Sequence, residues 1–411
     1  MFNLLKDAIH WIETRTKFRP KTSLDYIDNA LKMMNVNLDL IKKIHVTGTN
    51  GKGSVSMYLT HIFKFNGYKV GTFISPYLMR FNERIKINGQ DIDDDSLLQL
   101  INKIFTFNEV YHEKTGQSLS FFELMTLMSI QIFSDEKVDL MIMEVGIGGL
   151  LDATNILNYD ASVITNIGFD HMKQLGNTLE EISFNKLGIV KKHNHLFTTV
   201  DSKLHDYFKN YVDKKEATVK FIDETEIKIV NHYPNIIEYK GITYELGILG
   251  NYQALNAALA IEVSKFIDPS IQDDDILKGL KYTVYPGRLE EVLPEIFIDG
   301  AHNSHAIEAL IKTLQQTFNR KKIHVLFSAL ADKEPKNMLD LLAPHVESIY
   351  VTGFDDPRYQ SLHDLGYAFE ADAYQALKTL IQTKNDGDII LITGSLHFIG
   401  YIKNDILPKL S

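Results

Sequence analysis

The stretch Gly48-Thr49-Asn50-Gly51-Lys52-Gly53-Ser54 combines glycines, a cation and a hydroxyl at spacings that suit a phosphate group. Glycines at 48, 51 and 53 let backbone N–H groups approach an anion closely, a following helix adds its dipole, and Lys52 adds a point charge. Ser54 is placed to meet a phosphate or its magnesium. The generic phosphate-loop pattern fails, because Val46 stands where its first glycine belongs and Gly53 separates Lys52 from Ser54. The physics survives that irregularity. The plain alternative is a glycine-rich turn that only joins strand to helix.

Two more side chains stand where open α/β sheets bind ligands, at the ends of strands. Glu144 follows the apolar run Leu140–Met143, and His171 follows Asp170 beyond the run Val163–Ile167. A carboxylate and an imidazole there suit a divalent cation. Taken singly, such a histidine is more often structural and such an acid a cap. Lys186 lies in an amphipathic segment opened by a capping box, Thr178 with Glu181, and by itself reads as a solvated helix lysine.

The elements that position these residues follow from periodicity. Ile44-His45-Val46 reads as a short buried strand entering the glycine-rich loop, and Val55–Phe65 as a helix closed by Gly67. Strands at Val70–Ile74, Leu140–Met143 and Val163–Ile167 alternate with helices at Leu97–Phe107, Phe121–Phe133 and Leu179–Val190. That rhythm predicts a doubly wound, mainly parallel sheet. Two packing helices precede it, the second behind a cap at Ser23, and Asn88-Gly89 marks a hairpin. Val219–Leu246 alternates in short runs and predicts a small antiparallel β patch decorating the first domain. After the helix Ala254–Phe266 and the turn Tyr285-Pro286-Gly287-Arg288, a second βα series begins. The expectation is an α/β chain with a phosphate-loop domain over 1–286 and a smaller Rossmann-like α/β domain over 287–411.

Composition narrows the chemistry. The 411 residues contain no cysteine, which excludes disulfides, thiolate nucleophiles and cysteine-held metals. A formal charge of −10 argues against a general nucleic-acid binder. No apolar run approaches the length of a membrane span, and the N-terminus lacks the layout of a secretory signal, so a cytoplasmic protein is expected.

The segment Val46–Ser54 resembles the nucleotide loop of the folylpolyglutamate synthase and dihydrofolate synthase family, within the Mur ligase superfamily. The resemblance continues in family order through Ile74-Ser75-Pro76, Asn82-Glu83-Arg84-Ile85, Phe122-Glu123, Glu144-Val145-Gly146-Ile147-Gly148-Gly149 and Leu151-Asp152-Ala153-Thr154-Asn155. It extends through Thr165–His171, Leu175-Gly176-Asn177-Thr178, Pro286-Gly287-Arg288, Asp299-Gly300-Ala301-His302-Asn303 and Asp332-Lys333.

The resemblance implies an ADP-forming ligase. A folate carboxylate takes the γ-phosphoryl group of ATP, and the amine of L-glutamate then displaces phosphate from the acyl phosphate. It implies ATP contacts at Thr49, Asn50, Gly51, Lys52, Gly53, Ser54, Asn256, Arg288 and Asp299, with ATP in an interdomain cleft. Magnesium is implied at Ser75, Glu144 and His171, with Ser54 on the phosphate side. Lys52, His171 and Lys186 are the implied catalytic residues, and Lys186 is implied to be carbamylated. Phe122, Glu123 and Asp152 are implied to contact folate. His302, Asp332 and Ser395, at strand ends of the second domain, are candidates for glutamate. The implied partners are a reduced folate and L-glutamate, with no nucleic acid and no membrane, and the expected state is a monomer.

Several positions depart from the family pattern: Leu150 replaces an arginine, Tyr77 and Tyr252 replace histidines, Asn185 replaces an acid, Leu187 an alanine and Ser304 a proline. Those at 77, 150, 252 and 304 bear on the acceptor, those at 185 and 187 on the role of Lys186, and the phosphate and metal set is intact. The alternatives are a bifunctional enzyme that also makes dihydrofolate from dihydropteroate, or a divergent Mur-type ligase with another acceptor. A non-catalytic nucleotide-binding homologue is expected to lose Glu144, His171 or Lys186, and all are present.

Overall fold

The computed structural model describes residues 1–16 and 22–410. The chain divides into two compact units, Met1–Glu226 with Leu255–Thr283, and Ile227–Ala254 with Val284–Ser411.

The first unit is built on an eight-stranded sheet. Its strands are β1 (Lys42–Thr47), β2 (Val70–Phe73), β3 (Ile85–Ile87), β4 (Gln90–Asp91), β5 (Leu140–Glu144), β6 (Ala161–Ile164), β7 (His195–Thr198) and β8 (Thr218–Phe221). The spatial order is β4-β3-β2-β5-β1-β6-β7-β8. From β2 to β8 the neighbouring pairs are parallel, and β3 and β4 add an antiparallel edge. Central strands buried on both faces are mainly apolar, as Leu140-Met141-Ile142-Met143 is. The chain leaves β1 for β2 on one side, and later crosses from β5 to β6 on the other. A crevice opens at such a reversal, outside the carboxyl ends of β5, β1 and β6. The sites singled out in the sequence follow these strands.

Helix Lys52–Phe65 starts directly behind the loop and is buried along most of its length. The hairpin turn expected at Asn88-Gly89 is present, with both residues at positive φ. Ser23 does not cap a helix as expected: the helix runs Asp25–Met34, its N-cap is Leu24, and the Ser23 hydroxyl donates to the Asp25 carboxylate at 2.8 Å.

The second unit holds two sheets. β9 (Ile227–His232), β10 (Asn235–Tyr239) and β11 (Ile242–Leu246) form an antiparallel meander. The others are β12 (Glu290–Leu293), β13 (Ile296–Ile298), β14 (Ile323–Phe327), β15 (Ser348–Thr352), β16 (Ala368–Glu370) and β17 (Ile389–Thr393), ordered β12-β13-β17-β14-β15-β16. This sheet is parallel except for the edge strand β12. Leu310, Val325, Phe327, Leu339 and Leu391 centre its core.

Two expectations about the β patch need correction. Its first piece, Val219–Phe221, belongs to β8 and pairs parallel with β7, because a half-exposed edge strand alternates just as an antiparallel strand does. The meander itself groups with the second unit and not with the first.

Candidate active site

The glycine-rich loop is held by the segment that follows β6. Thr49 N and Asn50 N donate to the backbone and side-chain oxygens of Asn166 at 3.0 and 2.9 Å. The Thr49 hydroxyl donates to the Gly168 carbonyl at 3.1 Å, and the Thr165 hydroxyl donates to the Asn50 carbonyl at 2.5 Å. These amides are therefore engaged by protein. An anion is left the first turn of helix Lys52–Phe65, whose N–H groups have no intrahelical acceptor. Gly48 and Gly51 sit at φ +151° and +84°, and a Cβ there would lie 1.8 Å from Thr165 Oγ1 and 2.6 Å from Asn256 Oδ1. Asn256 thus closes on the loop. Lys52 Nζ donates to the Gly48 and Thr49 carbonyls at 3.0 and 3.2 Å, and Ser54 is buried.

Glu144 ends β5 and is buried. Val145 N, next to it, donates to the Val46 carbonyl at 2.9 Å, which ties the end of β5 to the strand that feeds the loop. Ser75 follows β2 beside a cis peptide bond to Pro76. His171 opens a short helix at φ +50°, its side chain more than one third exposed and 3.9 Å from Asp170. Strand adjacency brings Ser75 and Glu144 to the same edge of the sheet. Among the described residues no group of three or more His, Asp or Glu is clustered for a metal. The available set is one carboxylate, one imidazole and hydroxyls. Magnesium takes few protein ligands and keeps waters and phosphate oxygens, so the carboxylate and hydroxyls fit it, and the imidazole is an unusual partner for so hard a cation.

Lys186 is buried on helix Leu179–Leu187, opened by the expected Thr178–Glu181 capping box. Burial, then the charge of Lys52, push its ammonium well below the ordinary lysine range, and Asp170 partly opposes them. The solvated-lysine reading is thereby excluded. Burial and a neighbouring cation both favour the uncharged amine.

The loop Gly146–Asn155 connects these parts. Asp152 Oδ2 accepts from Gly146 N and Ile147 N at 3.1 and 3.2 Å, and Oδ1 from Thr154 N at 3.0 Å. The Phe122 ring packs on Gly146, where a Cβ would lie 2.6 Å away. Gly149 packs on the Asn185 and Lys186 carbonyls, each 3.0 Å from its would-be Cβ. Phe122 and Asp152 therefore converge on one loop that also touches the Lys186 helix. Glu123 is engaged otherwise: its Oε2 accepts from Ser120 N and Oγ at 2.8 and 2.7 Å as a capping box.

In the second unit, Asp299 is buried, which raises its carboxyl above the ordinary range while Arg288 pulls the other way. It accepts from Leu289 N at 2.8 Å, Ala301 N at 2.9 Å and the Tyr252 hydroxyl at 3.2 Å. The Arg288 guanidinium lies 5.3 Å from the centre of the Tyr285 ring. His302 pairs through Nδ1 with the Gly300 carbonyl at 2.8 Å. Ser395 is buried and caps helix Leu396–Tyr401 by accepting from His397 N at 3.2 Å. The side chain of Asp332 lies outside the described residues.

Arg84 is a further residue beside this site, outside the expected set. Its guanidinium is buried among the rings of Tyr77, Phe81 and Phe121, at 4.9, 5.6 and 5.3 Å. Burial pulls its pKa down to about 10, opposed by Tyr77, Glu13, Glu83 and Glu144. Its carbonyl accepts from Ile74 N at 3.0 Å, directly before Ser75. Arg84 lies within the run Asn82-Glu83-Arg84-Ile85, and the aromatic residues nearby in sequence, Tyr77 and Phe81, are the signal that marks it.

Comparison with known proteins shows the family and the fold. Residues 46–264 match the Mur ligase middle domain, and residues 287–396 match the Mur ligase glutamate ligase domain. The dihydrofolate synthase/folylpolyglutamate synthase of Bacillus subtilis is 34% identical, over 98% of this chain and 99% of the relative. The folylpolyglutamate synthase of Lacticaseibacillus casei is 31% identical, over 89% of this chain and 90% of its own. Among solved structures, Escherichia coli FolC in complex with DHPP and ADP superposes with a TM-score of 0.89 at 25% identity, covering 100% of this chain and 99% of that one. The apo form of the L. casei enzyme gives 0.86 at 26% identity, covering 98% and 100%. The chain belongs to the folylpolyglutamate synthase and dihydrofolate synthase family of Mur ligases.

Proposed function

We propose that this chain joins L-glutamate to a carboxylate of a reduced folate, converting ATP to ADP and phosphate through an acyl phosphate. The observation that carries the reading is Lys186, a buried amine that burial and Lys52 push well below the ordinary lysine range, on a helix touched by the Gly146–Asn155 loop. A structural complex named for folate and AMPPCP, at TM-score 0.85 and 26% identity, supports the substrate pair.

The first step brings two anions together, the folate carboxylate and the γ-phosphate. Helix N–H groups behind Gly51 and the Lys52 ammonium stabilise charge on the transferring phosphoryl group. Magnesium, when bound, supplies further charge neutralisation between the two anions. Ser75, Glu144 and His171 are the residues that would hold it, with Ser54 on the phosphate side. The neutral amine of Lys186 is the form that reacts with carbon dioxide, and carbamylation would convert a buried base into an anionic oxygen donor. Thr49, Asn50, Gly53, Asn256, Arg288 and Asp299 are assigned to ATP, and His171, with Lys52 and Lys186, to catalysis. Phe122 and Asp152 are assigned to the pteridine side of the acceptor with Glu123 supporting them, and His302, Asp332 and Ser395 to glutamate. On this reading residues 1–286 bind ATP and 287–411 serve glutamate ligation. The protein acts as a monomer in the cytoplasm; no helix among the described residues is long and apolar enough to cross a membrane.

The name of the B. subtilis relative supports a second acceptor, dihydropteroate. The test is phosphate release by purified protein with ATP, magnesium and L-glutamate, comparing tetrahydrofolate, dihydropteroate and no acceptor. Stimulation by tetrahydrofolate supports the reading, and stimulation by both supports the bifunctional form. If neither pterin stimulates turnover, the folate reading fails.

A further inference from the structure

His45 is a fully buried histidine on β1, three positions before Gly48 and outside the catalytic set. Its Nε2 lies 2.7 Å from Thr154 Oγ1. The Thr154 hydroxyl carries one hydrogen and lies 2.6 Å from Asp152 Oδ1. Asp152 receives backbone N–H groups of Gly146, Ile147 and Thr154 on its two oxygens, and takes the Thr154 hydroxyl hydrogen as well, the pattern of an acceptor-only carboxylate. Thr154 must therefore donate to Asp152, and so must accept from His45. That fixes His45 as the tautomer with hydrogen on Nε2.

The other nitrogen agrees. Nδ1 is buried and has no hydrogen-bond partner among the described residues, so a second proton there would lack an acceptor. Burial and the charge of Lys191 likewise hold the imidazole well below the ordinary histidine range. The ring stacks on Tyr159 at 4.1 Å and 13° between planes, and the Tyr159 hydroxyl donates to the Thr154 carbonyl at 2.6 Å. The imidazole is thus a fixed, uncharged donor. An aliphatic side chain would fill the same space without the penalty of burying a polar ring.

Thr47, two positions on and on the same face of β1, donates through its hydroxyl to the Gly148 carbonyl at 2.6 Å. One strand thereby grips the Gly146–Asn155 loop at two points, and its own end becomes the phosphate loop.

We infer that His45 is a positioning residue for acceptor recognition, orienting Asp152 through Thr154 and holding the loop after Glu144 in fixed register with the nucleotide loop. The inference rests on the reading of that loop as the acceptor's contact. It assigns His45 no proton transfer.

The test uses the full chain with His45→Leu, which removes the donor, His45→Gln, which keeps one, Thr154→Val, Thr154→Ser, and the double variant His45→Leu with Thr154→Val. Equilibrium binding of a non-hydrolysable ATP analogue is measured beside binding of tetrahydrofolate and dihydropteroate, with amide exchange followed at Gly146 and Ile147. Loss of one buried hydrogen bond predicts acceptor binding about tenfold weaker in His45→Leu and Thr154→Val. Nucleotide binding is expected to stay within about twofold, and the double variant to be no worse than Thr154→Val alone. The conservative variants His45→Gln and Thr154→Ser are expected to retain most of the parent's acceptor affinity. The inference is overturned if nucleotide and acceptor binding weaken together, or if the double variant multiplies the single losses. Should His45→Leu fail to fold, the Thr154→Val and Thr154→Ser pair carries the same comparison. If the unaltered protein binds neither pterin, the acceptor reading fails by itself. Exchange then decides the inference: acceleration at Gly146 and Ile147 with Gly51–Ser54 unchanged supports it, and uniform acceleration overturns it.

Discussion

The hydroxyl of Thr47 donates to the carbonyl of Gly148 at 2.6 Å, a buried bond between the strand that ends in the phosphate loop and the loop that follows Glu144. Thr47→Val keeps the shape and removes the donor, leaving a carbonyl unsatisfied. Stability should fall by roughly 1–3 kcal/mol in urea unfolding, and Thr47→Ser should restore it. A Val variant as stable as the parent would mean that the bond contributes nothing.

Gly48 is closed to any side chain, because a Cβ would sit 1.8 Å from Thr165 Oγ1 at a backbone φ of +151°. Thr165 cannot withdraw freely, since its hydroxyl holds the Asn50 carbonyl at 2.5 Å. Gly48→Ala should displace the phosphate loop and lower ATP affinity by at least about a hundredfold, a loss of roughly 3 kcal/mol. Titration with a fluorescent ATP analogue measures this. Unchanged affinity would show that the loop absorbs the methyl group elsewhere.

Much of this site was legible because its signals are local. A strand, three glycines and a lysine fall within a few residues, and Thr178 with Glu181 spells a capping box. The same local rule fits Ser120 and Glu123, so the capping role of Glu123 was readable beside the folate contact that the resemblance implies. What stayed hidden depends on contacts distant in sequence. Alternation showed that 227–246 forms strands, yet carries no information on which unit they join. Tyr252 meets Asp299 across 47 positions, so neither residue alone reveals that the carboxylate has a tyrosine donor.

Arg84 is a buried cation whose Nε has no hydrogen-bond partner among the described residues, surrounded by aromatic faces. Lysine cannot reproduce a planar group stacked on rings, so Arg84→Lys should destabilise the protein by about 1–3 kcal/mol. Arg84→Met removes a costly buried charge and should be less harmful to stability than Lys. It also removes a positive charge that acts on Glu144, so turnover should fall further than stability does. Parallel urea unfolding and phosphate-release assays separate the two effects. A Met variant with full turnover would leave Arg84 a packing role only.

Lys186 gives the protein a pH signature of known sign. In the unfolded chain its amine protonates near 10.5, whereas burial and Lys52 place the folded value well below that. Between those two values the unfolded chain binds a proton that the folded chain does not, so stability rises with pH across the window and is lost as pH falls through it. In carbon-dioxide-free buffer, the urea midpoint of the parent should climb from neutral pH toward 10, and Lys186→Met should flatten that slope. Added bicarbonate should stabilise the parent and not the Met variant, because a carbamate formed only in the folded state acts as a bound ligand. Lys186→Ala should lose turnover and regain part of it with small carboxylates such as acetate. Undiminished turnover in the Ala variant, or equal bicarbonate stabilisation of parent and Met variant, would remove the carbamate role.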